Sequence, residues 1–434
     1  MLQIIGYISF ALASAFGVLL LLSALQTPKK KSLKKRKKIR AGRRVFGVAA
    51  GLFLVLGLAL QLATLPRAEL KGLIGKESPV DLYTKVKTNT EKAYQTLPKE
   101  IFALDNDYYV KTENGRLYGY LLKGETYEKG LVSKDTAQVT GGEHLMAALN
   151  TKGDLTLTGA FEYLTYEKDD TYFNAKRYSR DCSFVEATNN SLFYIENGKL
   201  WSAGYNAFGK LGDGTSRNRL ESVMILEDCA SVSSGETHTL AVDVYGNLYG
   251  FGDNSYSELG NRTTAASITP IKLMSGVKQA EAGRYFSIVL TKNGEVYAAG
   301  RNDKGQLGTG DNRDYATYKK VLDGVTKISV NKNSCAALTA SGILYVWGDN
   351  GAHQLGAGEA TVNAPKKYAE NVYDVVMGTD SMGIITLTRD VRVTGEARAE
   401  KNNEYEQDVW AFGATVPEDK IYRETVVMPT RSEG

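Results

Sequence analysis

The amino-acid sequence predicts an all-β fold, a seven-bladed β-propeller preceded by two transmembrane α-helices. Three observations lead there. Two long uncharged runs open the chain, a glycine-ended phrase then recurs every 48 residues, and each recurrence holds short apolar stretches separated by turn dipeptides.

Leu2 to Leu25 and Val45 to Leu65 are uncharged over 24 and 21 residues, long enough to cross the roughly 30 Å hydrocarbon core as helices. A cleaved signal peptide would open on a positive segment, and Met1, Leu2 and Gln3 carry none. Between the runs lie eleven Lys or Arg and no acid, Pro28 to Arg44, and short basic loops stay cytoplasmic. The expected order is transmembrane helix 1 at 1–27, a basic cytoplasmic loop at 28–44, helix 2 at 45–65, a stalk or linker at 66–98 and the propeller at 99–434. The N-terminus and the propeller are then extracytoplasmic, and the lipid bilayer is the first partner.

Composition narrows the function classes. Hydrophobic residues at 43% and charged residues at 24% are ordinary globular values. The net charge of +4 hides an asymmetry, because beyond the basic loop 42 basic residues face 49 acidic ones. A nucleic-acid partner asks for a basic face, so none is expected.

The repeat is carried by NGKLWSAGYNAFGKLGDG from Asn197, YGNLYGFGDNSYSELGN from Tyr245, NGEVYAAGRNDKGQLGTG from Asn293 and SGILYVWGDNGAHQLGAG from Ser341. Their aligned glycines, Gly204, Gly252, Gly300 and Gly348, are 48 residues apart, with weaker copies ending at Gly159 and Gly395 and a degenerate one at Asn114 to Leu122. Asn-Gly and Ser-Gly suit tight hairpins, whose central residues take positive φ. Residues such as Leu344, Tyr345, Val346 and Trp347 are apolar on both alternating faces, as in a sheet covered on each side. Short strands at a 40- to 50-residue period are propeller blades.

With Gly235-Glu-Thr-His238-Thr-Leu-Ala, Gly305-Gln-Leu-Gly-Thr-Gly310 and Gly342-Ile-Leu-Tyr-Val-Trp-Gly-Asp-Asn350, the sequence resembles the regulator of chromosome condensation repeat family, over about residues 100 to 410. The resemblance implies a seven-bladed propeller and hands over no activity. The family's best-known eukaryotic member is a nuclear nucleotide-exchange factor on chromatin, a role at odds with the two spans and the acidic propeller. Secreted bacterial members with similar repeats bind proteins, a β-lactamase inhibitor among them, and they are the nearer analogy for a chain that reads as a membrane-anchored bacterial member.

Few residues suggest chemistry. His238 occupies a recurring slot filled elsewhere by Leu145, Asn190, Phe286 and Ser334, which makes it structural. His353 has no evident companion ligands for zinc. Cys182 and Cys229 share a slot with Val277, Val325 and Val372, and Cys335 opens an apolar strand, so all three read as core. Asp253-Asn254 and Asp349-Asn350 read as turns, because other repeats place Tyr205 and Arg301 at the aspartate. The phrase at Gly305 lacks the Lys-Ser/Thr of a phosphate loop. No cofactor, metal site or catalytic constellation is expected.

A ring of loops remains. The loop before each histidine slot should circle one channel mouth, giving Asp105/Asn106, Glu143/His144, Thr188/Asn189, Glu236/Thr237, Arg284/Tyr285, Lys332/Asn333 and Thr379/Asp380. Unlike residues on a repeated scaffold suit recognition, and Glu143, His144, Asn189, Glu236, Arg284, Tyr285, Lys332 and Asp380 are the candidate ligand contacts. The expected function is binding of a protein, peptide or cell-wall glycan. The rivals are an enzyme acting on surface glycans, marked by perturbed carboxylates in a deep pocket, and a scaffold subunit of a membrane complex.

Overall fold

The computed structural model describes residues 97–104, 107–123, 126–142, 145–160, 172–188, 190–356, 358–395 and 410–412. The two expected membrane helices, the basic loop and the expected stalk up to residue 96 lie outside the described residues, as do Glu143, His144 and Asn189. No helix among the described residues is long and apolar enough to cross a membrane.

Seven four-stranded sheets follow one another as blades at 98–133, 138–179, 182–226, 229–274, 277–322, 325–369 and 372–412. In every blade the four strands are antiparallel neighbours in chain order. The seventh, degenerate copy read from the sequence is a full blade, the first.

Burial explains the pattern. The second strands of blades 4 and 5, His238–Asp243 and Phe286–Thr291, are buried at every position, because neighbouring blades cover both faces of the sheet. The fourth strands of blades 3 to 6, such as Tyr315–Leu322, have no buried position and form the rim. The hydrophobic interior falls into seven clusters, one at each junction between consecutive blades. The repeated glycines are steric requirements of this packing. Gly300 ends the third strand of blade 5 at φ +109°, and a Cβ there would sit 2.6 Å from the Tyr285 carbonyl oxygen. At Gly308 the same addition would come within 2.9 Å of the Trp347 ring of blade 6, so the second glycine of the Gly-Gln-Leu-Gly phrase lets the next blade's aromatic close in.

Closure needs no exchanged strand, since each sheet draws on one continuous segment. Blade 7 meets blade 1 through a cluster that includes Ile101, Tyr108, Ile385 and Val391. Polar links reinforce it, among them an Arg389–Glu113 ion pair at 3.4 Å. The Ile101 amide donates to Asp374 Oδ2 at 3.1 Å, Tyr108 and Ser381 hydroxyls meet at 2.6 Å, and Arg389 Nη1 donates to the Pro98 carbonyl at 2.7 Å.

The cysteines sit in the core as expected. Cys182 and Cys229 open the first strands of blades 3 and 4 at the position of Val277, Val325 and Val372, and lie in different clusters. Burial pushes their thiols up to about 11 and about 12, and the fully buried Cys335 well above the usual thiol range, so none offers a reactive thiolate. One alignment requires correction. In blade 3 the residue opposite Gly204 is Ser191, not Asn190, so the ring positions there are Asn189/Asn190 rather than Thr188/Asn189.

Candidate ligand-binding mouth of the propeller

The loop between first and second strands is a tight turn repeated from blade to blade. The Gly235, Gly283, Asn331 and Gly378 amides donate to the carbonyls of His238, Phe286, Ser334 and Ser381 at 2.9, 2.9, 3.0 and 2.9 Å. Two residues are thereby held at each tip, and the tips are linked. Arg284 N donates to the Lys332 carbonyl at 2.8 Å, and Asn331 Nδ2 to the Gly378 carbonyl at 2.8 Å. The loop after each third strand lies at the same end, because the Asp253, Arg301 and Asp349 amides donate to Thr237, Tyr285 and Asn333 carbonyls.

Asparagines set the shape of those outer loops, confirming their turn role. Asn206, Asn254, Asn302 and Asn350 are almost wholly buried, and each Oδ1 accepts the amide five residues on, from Leu211, Leu259, Leu307 or Leu355, at 2.8 to 2.9 Å. Each Nδ2 donates back into its own loop, as from Asn302 to the Asp311 carbonyl at 2.8 Å.

Three expected ring residues come together here. Arg284 Nε pairs with Glu236 Oε2 at 2.8 Å, and its guanidinium lies 5.7 Å from the Tyr285 ring centre. Tyr285 is held at φ +64°, a backbone region that bulky residues avoid at a cost of about 1–3 kcal/mol. The cluster reaches beyond the expected ring residues to Tyr256, on the loop after the third strand of blade 4. The Tyr256 and Tyr285 rings are 5.1 Å apart, and Arg301 sits over both, at 5.1 and 5.9 Å. The signal for Arg301 was in view as the cation replacing aspartate at a repeated position. Lys332 and Asp380 are exposed on the loops of blades 6 and 7, and the Lys332 carbonyl is the one that accepts the Arg284 amide.

Beneath the mouth, first strands line a channel of about 1130 Å³. Its upper tier includes Thr140, Glu186, Ser233, Glu281 and Ser329, and its lower tier Glu100, Gln138, Gln279, Lys327 and Asp374. Burial, with repulsion from Glu281, pushes the Glu186 carboxyl up to about 8, and burial raises Glu281 as well. Burial brings the Lys210 ammonium down to about 8 against the opposing pull of Glu186, and its Nζ donates to the Glu236 carbonyl at 3.4 Å. Gln138 and Gln279 staple neighbouring blades. Each donates Nε2 to the carbonyl and accepts the amide of one residue, Val185 or Ile328, at 2.8 and 3.1 Å. The sequence reading missed this channel chemistry, although lysine in the glutamine slot of the Gly-Gln-Leu-Gly phrase was a visible departure.

His238 is structural in this setting. It is fully buried, burial holds its imidazole down to about 3, and Nε2 lies 3.0 Å from Ser287 Oγ. Ser287 Oγ donates to the Glu258 carbonyl at 2.6 Å, which assigns the imidazole proton to Nε2. No group of three or more His, Cys, Asp or Glu among the described residues is placed to hold a metal ion.

The fold and its repeated loops define a seven-bladed β-propeller. Residues 197–242, 245–290 and 293–338 match the Regulator of chromosome condensation (RCC1) repeat, and 277–306 and 325–354 match a second form of it. Among solved structures, human WBSCR16 is similar at 21% identity and TM-score 0.58, over 68% of this chain and 86% of that one. Saccharomyces cerevisiae Prp20p, described with its binding to Gsp1p and histones, is similar at 15% identity and TM-score 0.58, over 68% and 81%. A third, yeast RCC1 (Prp20) with Kap60 bound, is similar at 16% identity and TM-score 0.57, over 68% and 79%. At these identities the likeness is one of fold. No curated protein matches the chain.

Proposed function

We propose that the chain is a membrane-anchored propeller, displayed outside the cytoplasm of a bacterium, that binds a protein, peptide or cell-wall ligand at the channel mouth. The cluster of Tyr256, Tyr285, Arg284 and Arg301 supports this reading above all else. Tyr and Arg give large contact areas at little entropic cost and dominate interface hot spots. Yeast Prp20, similar to this chain in fold, is described with its binding to Gsp1p and histones and with Kap60 bound, which favours a protein ligand. The proposed contacts at Glu143, His144, Asn189, Lys332 and Asp380 would extend the site around the ring.

The test is capture of surface components by the full-length chain, followed by mass spectrometry. Arg284→Ala with Tyr285→Ala should lower binding of the captured partner at least about tenfold and leave the urea midpoint nearly unchanged. Tyr245→Ala, 69% exposed on a hairpin at the opposite end of blade 4, should bind normally. Normal binding by the double variant, or loss at Tyr245, would place the ligand elsewhere.

The enzyme reading keeps one specific support, the raised carboxylates of Glu186 and Glu281 in the channel. Turnover of a surface glycan that vanishes in Glu186→Gln and Glu281→Gln would favour it over binding.

A further inference from the structure

The fourth strand of each blade presents an open edge, and an unguarded edge recruits other strands. Blades 4, 5 and 6 deal with this in two halves. The first half is capped by the preceding blade, whose Gly214, Arg262 and Gly310 amides donate to the Ile268, Ala316 and Asn363 carbonyls at 2.9, 2.9 and 2.8 Å. The second half carries an exposed lysine opposite the third strand's tyrosine, in the pairs Tyr249 with Lys272, Tyr297 with Lys320 and Tyr345 with Lys367. Blade 2 has Arg177 at this position. Pro270 and Pro365 add further protection in blades 4 and 6.

Blade 3 departs from the rule. Its register puts Met224 opposite Trp201, and Met224 is 41% exposed. Ser222 to Leu226 has neither charge nor proline, and no backbone hydrogen bond among the described residues reaches it except from the third strand of its own blade. Blade 1 has the half-buried Leu131 there, drawn into the cluster that closes the ring, and blade 7 the short strand Trp410–Phe412. Acids flank the blade 3 run. Glu221 is exposed, and Glu227, 70% exposed, has only a 3.9 Å approach from Lys199.

We propose that the outer edge of blade 3 takes up an extended segment of a protein partner as a fifth strand, with apolar residues against Met224 and Trp201 and a Lys or Arg at each end facing Glu221 and Glu227. Main-chain hydrogen bonds supply the affinity in such strand addition, and side chains the selection. On blades 4 to 6 a fifth strand would have to cover a lysine, Lys320 being paired with Glu295 and Asp323 and Lys367 with Glu370, and the cost of burying that charge confines the pairing to one blade. This surface is separate from the mouth and does not depend on it.

The probe is the labelled peptide KTVTVIVTK, added to the full-length chain. Binding is followed by fluorescence anisotropy, and edge protection by amide hydrogen exchange at 219–226. Protection should appear at that strand alone. Met224→Lys should weaken binding at least about tenfold, as should glutamate in place of both terminal lysines of the peptide. No protection at about 1 mM peptide would overturn the proposal. So would unchanged affinity in Met224→Lys, or equal protection at 319–320. Concentration-dependent protection without peptide, lost in Met224→Lys, would make a second copy of the chain the occupant and equally overturn it.

Discussion

Glu258 occupies the slot that holds glutamine in the next two blades. Gln306 accepts the Lys304 amide at 2.8 Å and donates to Asp303 at 3.2 Å, and Gln354 accepts from Ala352 and donates to Ser334. Glu258, fully buried, accepts the Tyr256 amide at 2.9 Å through Oε2, while its buried Oε1 has no hydrogen-bond partner. Burial pushes the carboxyl up to about 7 from an ordinary 4.5. The folded state therefore holds a proton that the unfolded chain gives up. Stability falls as pH rises from the unfolded value through the folded one, and the penalty is complete above about 7. Glu258→Gln should stabilise the protein by about 1–3 kcal/mol at pH 8 and by less at pH 5. Urea midpoints at the two pH values check this, and an equal gain at both would remove ionisation as the cause. The slot was legible in the sequence, but whether its second oxygen meets a donor is decided by the loop around it.

At the scale of the strand, the aromatic positions join blades. Trp347 is fully buried and its Nε1 donates to the Gln306 carbonyl of blade 5 at 3.0 Å. Its cluster contains Phe286, Leu307 and Cys335. Trp347→Ala should cost about 3–5 kcal/mol, whereas Cys182→Val, a near volume-conserving change at a position where three other blades have valine, should cost under about 1.5 kcal/mol. Urea unfolding of the two variants compares them, and a larger loss at Cys182 would show a role beyond packing. Strand order, hairpin turns and these core positions were readable because a blade is a local meander whose apolar slots recur at a fixed period. The one-residue slip at Ser191 arose in a loop, where no periodic burial constrains the alignment.

For the whole molecule, eleven cations between two apolar runs carry the proposed membrane orientation. With the three native cysteines replaced, a cysteine at Ser32 should resist an impermeant thiol reagent in intact cells, while one at Ser78 should label. Labelling at position 32 before lysis would reverse the orientation. Ring closure belongs to this scale too. Asp374 of blade 7 accepts the Ile101 amide of blade 1 and pairs with Lys327 of blade 6 at 2.5 Å, so one carboxylate ties three blades at the channel wall.

The number of blades, the phase of the repeat and the placement of core cysteines and His238 are local properties, set by a period that each blade satisfies with its own residues. The functional surfaces are not local. Tyr256 meets Tyr285 only because the outer loop of blade 4 abuts the inner loop of blade 5. Glu281 adds to the upward push on Glu186 because blades 3 and 5 both face the axis. Met224 differs from a core methionine only because no blade covers the outer rim. Packing between blades fixes such distances, and a pattern read along the chain holds no information about which side chains from separate repeats will come within contact.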